Sequence, residues 1–117
     1  MKAIVYEQYG PPEAVLELRE VEAPTPKDNE VLVKVYATSV NVEDVDFLRG
    51  RGWSIRILGA LKPKYKILGF DVAGRVEAVG RNVQQFQPGE EVIGNLFSYG
   101  FGAFAEYVCA SARINKG

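Results

Sequence analysis

Two short stretches concentrate the side chains of this chain that could do chemistry: Asn41-Val42-Glu43-Asp44, and Gly69-Phe70-Asp71 near the head of LGFDVAGRVEAVG (68–80). An amide and a carboxylate three residues apart can close a helix start, and a carboxylate beside glycines can gather donors around itself. Chemistry that needs an imidazole is out of reach, because the 117 residues include no histidine and one cysteine, Cys109. No Ser-His-Asp or Cys-His nucleophile can be assembled, nor a zinc site of ordinary His and Cys ligands. The glycine patterns fail as nucleotide cradles. Gly69 and Gly74 have phosphate-loop spacing, but Arg75-Val76 stands where Lys and Ser/Thr would be needed. Gly100-Phe101-Gly102 lacks the third glycine and the following helix of a dinucleotide turn.

The elements that must position these residues are mostly strands. Residues 2–6 form a short β-prone run, 15–22 resemble an alternation, and 30–40 predict the clearest strand, with Val31, Val33 and Val35 on one face. The period then changes. Asn41 reads as a helix cap with Asp44 reaching back to it, and Val42, Val45 and Leu48 fall on one side until Gly50 and Gly52 stop the helix. Further strands are expected over 75–79, over 91–93 after the turn Gln87-Pro88-Gly89-Glu90, and over 104–109, the last preceded by a flexible stretch at 94–102. Short strands, one or two short helices and many turns predict a mainly β (α+β) fold, a small, largely antiparallel barrel or rolled sheet.

Composition bounds the rest. A chain of this length with 47% hydrophobic residues fits one domain, 1–117, and a net charge of -1 gives no preference for nucleic acid or acidic membranes. The lone cysteine and the lack of a long apolar run point to a soluble protein of the reducing cytoplasm. One segment departs from neutrality: residues 47–70 carry Arg49, Arg51, Arg56, Lys62, Lys64 and Lys66 and no acid. It reads as a solvated loop, as a cleft wall in which Arg49, Arg51, Trp53 and Tyr65 meet a flat substrate, or as a membrane-surface segment interrupted by Pro63.

Four segments in order, MKAIVYEQYGPPE, ATSVNVED, LGFDVAGRVEAVGRNVQQFQPGEEVIG and GAFAEYV, resemble the N-terminal domain of the medium-chain dehydrogenase/reductase superfamily, in its zinc-free quinone oxidoreductase branch. The resemblance implies a GroES-like, partly open β-barrel. Zinc alcohol dehydrogenases of that superfamily carry Cys where this chain has Asn41, and Gly-His-Glu where it has Gly69-Phe70-Asp71. Phe70 has no lone pair to offer a metal, and the cysteine-rich structural lobe is missing, so no metal is expected.

Without a Lewis acid, a hydride acceptor must already be electron-poor, as quinones and α,β-unsaturated carbonyls are. The resemblance implies NADPH as cofactor, bound mainly by a Rossmann domain absent from this chain, which by itself would be an inactive, monomeric fragment of a homodimeric parent. It implies catalytic roles for Asn41, also against the cofactor, and Asp44. Arg49, Trp53, Tyr65 and Phe70 are the expected substrate contacts. Asp71 reads as structural, accepting from backbone or Arg groups, and Cys109 as a buried strand residue. The alternatives are a zinc-free alcohol dehydrogenase relative and a stand-alone GroES-like binding or oligomerisation module.

Overall fold

The computed structural model describes residues 1–50, 66–97 and 100–117. Among these residues, seven strands and two short helices run in the order β1 (Lys2–Val5), α1 (Pro12–Val15), β2 (Glu17–Glu20), β3 (Glu30–Ser39), α2 (Val42–Arg49), β4 (Asp71–Val79), β5 (Glu91–Asn95), β6 (Tyr107–Ser111) and β7 (Asn115–Lys116). They form a two-stranded sheet, β1-β2, and a five-stranded sheet in the order β6-β3-β4-β5-β7, antiparallel throughout. Hydrogen bonds from Ile4 N to Phe104 O (2.9 Å) and from Tyr6 N to Lys66 O (3.0 Å) carry the small sheet onto the large one. The result is the open, GroES-like partial barrel expected.

β3 is the spine. Val31 and Val33 are fully buried, and Val76 on β4, Val92 on β5 and Val108 on β6 meet them from neighbouring strands. Each such side chain withdrawn from water contributes about 1.5–3 kcal/mol, which makes this layer the main source of stability. Two register shifts against β4, at Leu32/Val33 and at Val35/Ala37, bend the strand, and beyond them its outer end turns polar with Thr38 and Ser39. The backbones of β3 and β4 approach so closely at Gly74 that a Cβ would overlap the Lys34 carbonyl. At one end, Phe70 and Phe101, both buried, pack with Phe47 and Phe97 in edge and tilted ring contacts 4.9–6.5 Å apart. Phe101 takes φ 63° between two glycines that also have positive φ, so Gly100-Phe101-Gly102 is a backbone device for burying a ring.

Several expectations change. Val15 ends a helical turn, and β2 is exposed along its whole length because it is the outer strand of a two-stranded sheet. Val42 is 73% exposed at the first position of α2, whose buried residues are Asp44 and Leu48. The stretch 94–102 begins inside β5 and includes the fully buried Leu96. The last long strand lies at Tyr107–Ser111 rather than 104–109, with Ala105 bridging to Ala3 and β7 following. The strands at 30–40 and 75–79 are present, the latter extended back to Asp71.

Gly74→Ala is expected to cost about 2 kcal/mol or more, since backbone rather than a flexible side chain occupies the space. Urea unfolding measures it, and an effect within experimental error would contradict the packing described.

Candidate functional site

The capping pair predicted for Asn41 and Asp44 is present, and Asp44 does more than cap. Its Oδ2 accepts from the Asn41 backbone N–H at 2.9 Å, while Oδ1 accepts from the backbone N–H of Gly69 at 3.0 Å. A single carboxylate therefore ties the start of α2 to the residue two before β4. Gly69 can take part because its φ of 93° suits glycine and because the Phe104 ring lies where a Cβ would be.

Asp44 is 3% exposed, the one buried charged side chain among the described residues. Burial raises its pKa above the ordinary value of 3.8, outweighing the two backbone N–H bonds that favour the ionised form, with Glu43 and Asp71 adding in the upward direction. The folded chain thus holds this proton more tightly than the unfolded one. The group's stabilisation is complete below pH 3.8 and is lost as the pH rises through its folded-state pKa. Burial also raises the Tyr6 hydroxyl, reinforced by the nearby Tyr9 and Asp44.

Beside this tether the strand register sets Ser39, Asp71 and Asn95 opposite one another across β3, β4 and β5. Asp71 Oδ2 accepts from Asn41 Nδ2 at 3.0 Å and from Ser39 Oγ at 3.2 Å, and Oδ1 accepts from Asn95 Nδ2 at 3.4 Å. Thr38 Oγ1 donates to the Asp71 carbonyl at 2.6 Å. The donors to the Asp71 carboxylate are thus amide and hydroxyl side chains rather than the backbone or Arg groups expected. The row edges an open groove of about 530 Å³, lined by Thr38, Ser39, Asp71, Ile93, Asn95 and Asn115 among others.

The residues singled out from the sequence divide into three groups. Asn41 and Asp44 are brought together with Asp71, and the Asn41 NH2 left free by the capping scheme is bonded to Asp71. Phe70, 7% exposed, sits in the aromatic cluster and offers a substrate little surface. Arg49 is exposed at the far end of α2, about 12 Å along the helix from Asn41. Arg51, Trp53 and Tyr65 lie outside the described residues. Ser39 and Asn95 were not anticipated, because only the pairing of β3, β4 and β5 reveals them as neighbours of Asp71. Cys109 is half-buried on β6, and burial with the Glu30 charge nearby pushes its thiol up to about 11.

Two outcomes follow from these environments. Asp44→Asn leaves one acceptor for two N–H groups and is expected to cost about 1–3 kcal/mol. In urea unfolding from about pH 3 to pH 7 the deficit should be largest at the acid end and narrow as the pH rises, and a widening deficit would contradict the raised pKa. Cys109 is expected to react with a disulfide reagent at neutral pH far more slowly in the folded than in the unfolded chain. Equal rates would place the thiol in the open.

Comparison with known proteins agrees with this architecture. The family model for the alcohol dehydrogenase GroES-like domain matches residues 27–115. The chain is 36% identical to the chloroplastic quinone-oxidoreductase QR1 of Triphysaria versicolor over 97% of its own length and 33% of that protein's. The structure of the quinone oxidoreductase from Coxiella burnetii superposes with a TM-score of 0.82 at 36% identity, over 95% of this chain and 34% of that one. The Escherichia coli quinone oxidoreductase complexed with NADPH gives 0.78 at 25%, over 96% and 31%. The chain spans about a third of the length of the relatives it matches. With the fold, the Asn41 and Gly69-Phe70-Asp71 stretches and these matches in agreement, the chain belongs to the alcohol dehydrogenase GroES-like domain family of the medium-chain dehydrogenase/reductase superfamily.

Proposed function

We propose that this chain forms one wall of the active site in a zinc-independent, NADPH-dependent reductase of quinones or α,β-unsaturated carbonyls. The observation that carries the reading is the pairing of Phe70 and Asn41 at the positions where metal-dependent relatives are expected to hold zinc. The Phe70 ring is buried among other rings and the Asn41 amide is bonded to Asp71, so neither is a metal donor in waiting. Relatives named quinone oxidoreductases, one of them complexed with NADPH, support the substrate class and the cofactor.

The residues present fit one end of such a cofactor. The groove is of the size that takes a flat ring with its sugar, and it offers amide and hydroxyl groups. The pyrophosphate has no cradle among the described residues. The start of α2 already holds the Asp44 carboxylate, whose charge opposes a phosphate. Pyrophosphate and adenosine therefore belong to a separate Rossmann domain in this proposal, consistent with a chain that matches a third of its relatives' length.

When bound, the reduced nicotinamide supplies the hydride. Asn41 keeps one N–H on Asp71, and among the described residues its other N–H meets only long Ser39 contacts of 3.4–3.5 Å that a ligand can replace. One such donor contributes roughly 3 kcal/mol toward a developing oxyanion, enough for a carbonyl whose conjugation already spreads the charge. Asp44 holds the Asn41 backbone in place. We place the protein in the reducing environment of the cytoplasm, with a homodimeric parent and no nucleic-acid or membrane partner.

In the full-length protein bearing this domain, Asn41→Ala is expected to lower quinone turnover about tenfold or more with the fold intact. Unchanged turnover would leave Asn41 a helix cap and remove the reading's central residue.

A further inference from the structure

We propose that Asp71, which lines the groove, is a positioning residue whose carboxylate decides the sense in which the neighbouring Asn41 carboxamide is held. The inference rests on the reading of Asn41 as a site residue and deepens it.

A carboxamide can turn over about its last bond and present either an acceptor or two donors, and the two ends are nearly equal in size. An ionised carboxylate removes that ambiguity, since it only accepts. With Asp71 Oδ2 3.0 Å from Asn41 Nδ2, the reversed amide would set two oxygens against each other. Ser39 adds its carbonyl oxygen and its Oγ at 3.5 and 3.4 Å around the same nitrogen, so every near neighbour favours the same sense.

Asp71 is itself held from the other side. The Phe97 N–H donates to Asn95 Oδ1 at 2.8 Å, which fixes the sense of the Asn95 amide and leaves its Nδ2 to donate to Asp71 Oδ1 at 3.4 Å. Ser39 Oγ donates to Oδ2 at 3.2 Å. The chain of bonds Phe97–Asn95–Asp71–Asn41 begins at a backbone N–H, which cannot reverse, and ends at the amide the proposed reaction uses. Because Ser39, Asp71 and Asn95 are register partners on three adjacent strands, the sheet fixes the ladder to the groove. A positioning residue of this kind works by ordering a donor before the substrate arrives.

The test reads the Asn41 side-chain amide directly, by ¹H–¹⁵N NMR of the 117-residue chain. In the wild type the two Nδ2 protons should be widely separated in shift, with one strongly downfield. Asp71→Ala should collapse that separation and Asp71→Glu should restore part of it. If Asp71→Ala does not fold, the isosteric Asp71→Asn serves: loss of the charge should narrow the separation of the Asn41 protons. Asn41 signals that ignore the substitution that folds would overturn the proposal. In the full-length protein, Asp71→Ala should lower turnover as Asn41→Ala does, with the double variant no slower than Asn41→Ala alone. A double variant slower by the product of the two losses would also overturn it. A wild type without reductase activity would sink the functional reading, while an intact NMR response would still support the role of Asp71 toward Asn41.

Discussion

A single buried carboxylate sets the geometry of this domain. Asp44 lies almost wholly out of water on a helix of only eight residues, and its two oxygens accept backbone N–H groups from Asn41 and from Gly69. A helix this short has little stability of its own in water, so its direction depends on what its ends are tied to. Gly50 closes the other end in the left-handed conformation, and Leu48 packs into the core. That tether sets where Asn41 stands relative to Gly69 and the Phe70-Asp71 pair after it, while strand pairing places Ser39 and Asn95 beside Asp71.

The burial has a cost, since it raises the pKa of Asp44 above that of an exposed aspartate. An amide of the same shape would avoid the charge but offers one acceptor oxygen where Asp44 uses two, one for each N–H. The arrangement therefore accepts an unfavourable ionisation in exchange for fixing two chain segments at one point. The polar ladder of Ser39, Asp71 and Asn95 builds on that point, and so does the aromatic cluster of Phe47, Phe70, Phe97 and Phe101. Polar and aromatic neighbours thus diverge at the Phe70-Asp71 peptide: the ring enters the core and the carboxylate reaches the groove.

Much of the fold could be read from local pattern. The valines of β3, the cap at Asn41, the stop at Gly50 and the turn at Gly89 are each decided by residues adjacent in sequence. What could not be read depended on distant partners. Leu48 is buried as hydrophobicity indicates, but the inward face of α2 carries Asp44 beside it and leaves Val42, at the first position of the helix, exposed. Strand β7 exists because Asn115 and Lys116 pair with β5, and two residues carry too little pattern to announce a strand. Asn41, Asp44 and Asp71 were visible as residue types. Their mutual bonding was not, and neither Ser39 nor Asn95 stands out until β3, β4 and β5 lie side by side. The resemblance singled out Asn41 and Phe70, and the structure adds what surrounds them.

In the proposed function no metal polarises the acceptor oxygen, and that reading limits the acceptor to carbonyls that already spread charge by conjugation. The most direct test is a substrate comparison in the full-length protein: NADPH oxidation with a quinone, an enone and a saturated ketone, before and after treatment with a zinc chelator. The account predicts turnover of the conjugated acceptors alone, at rates the chelator does not change. Reduction of the saturated ketone that disappears on chelation and returns with zinc would contradict it.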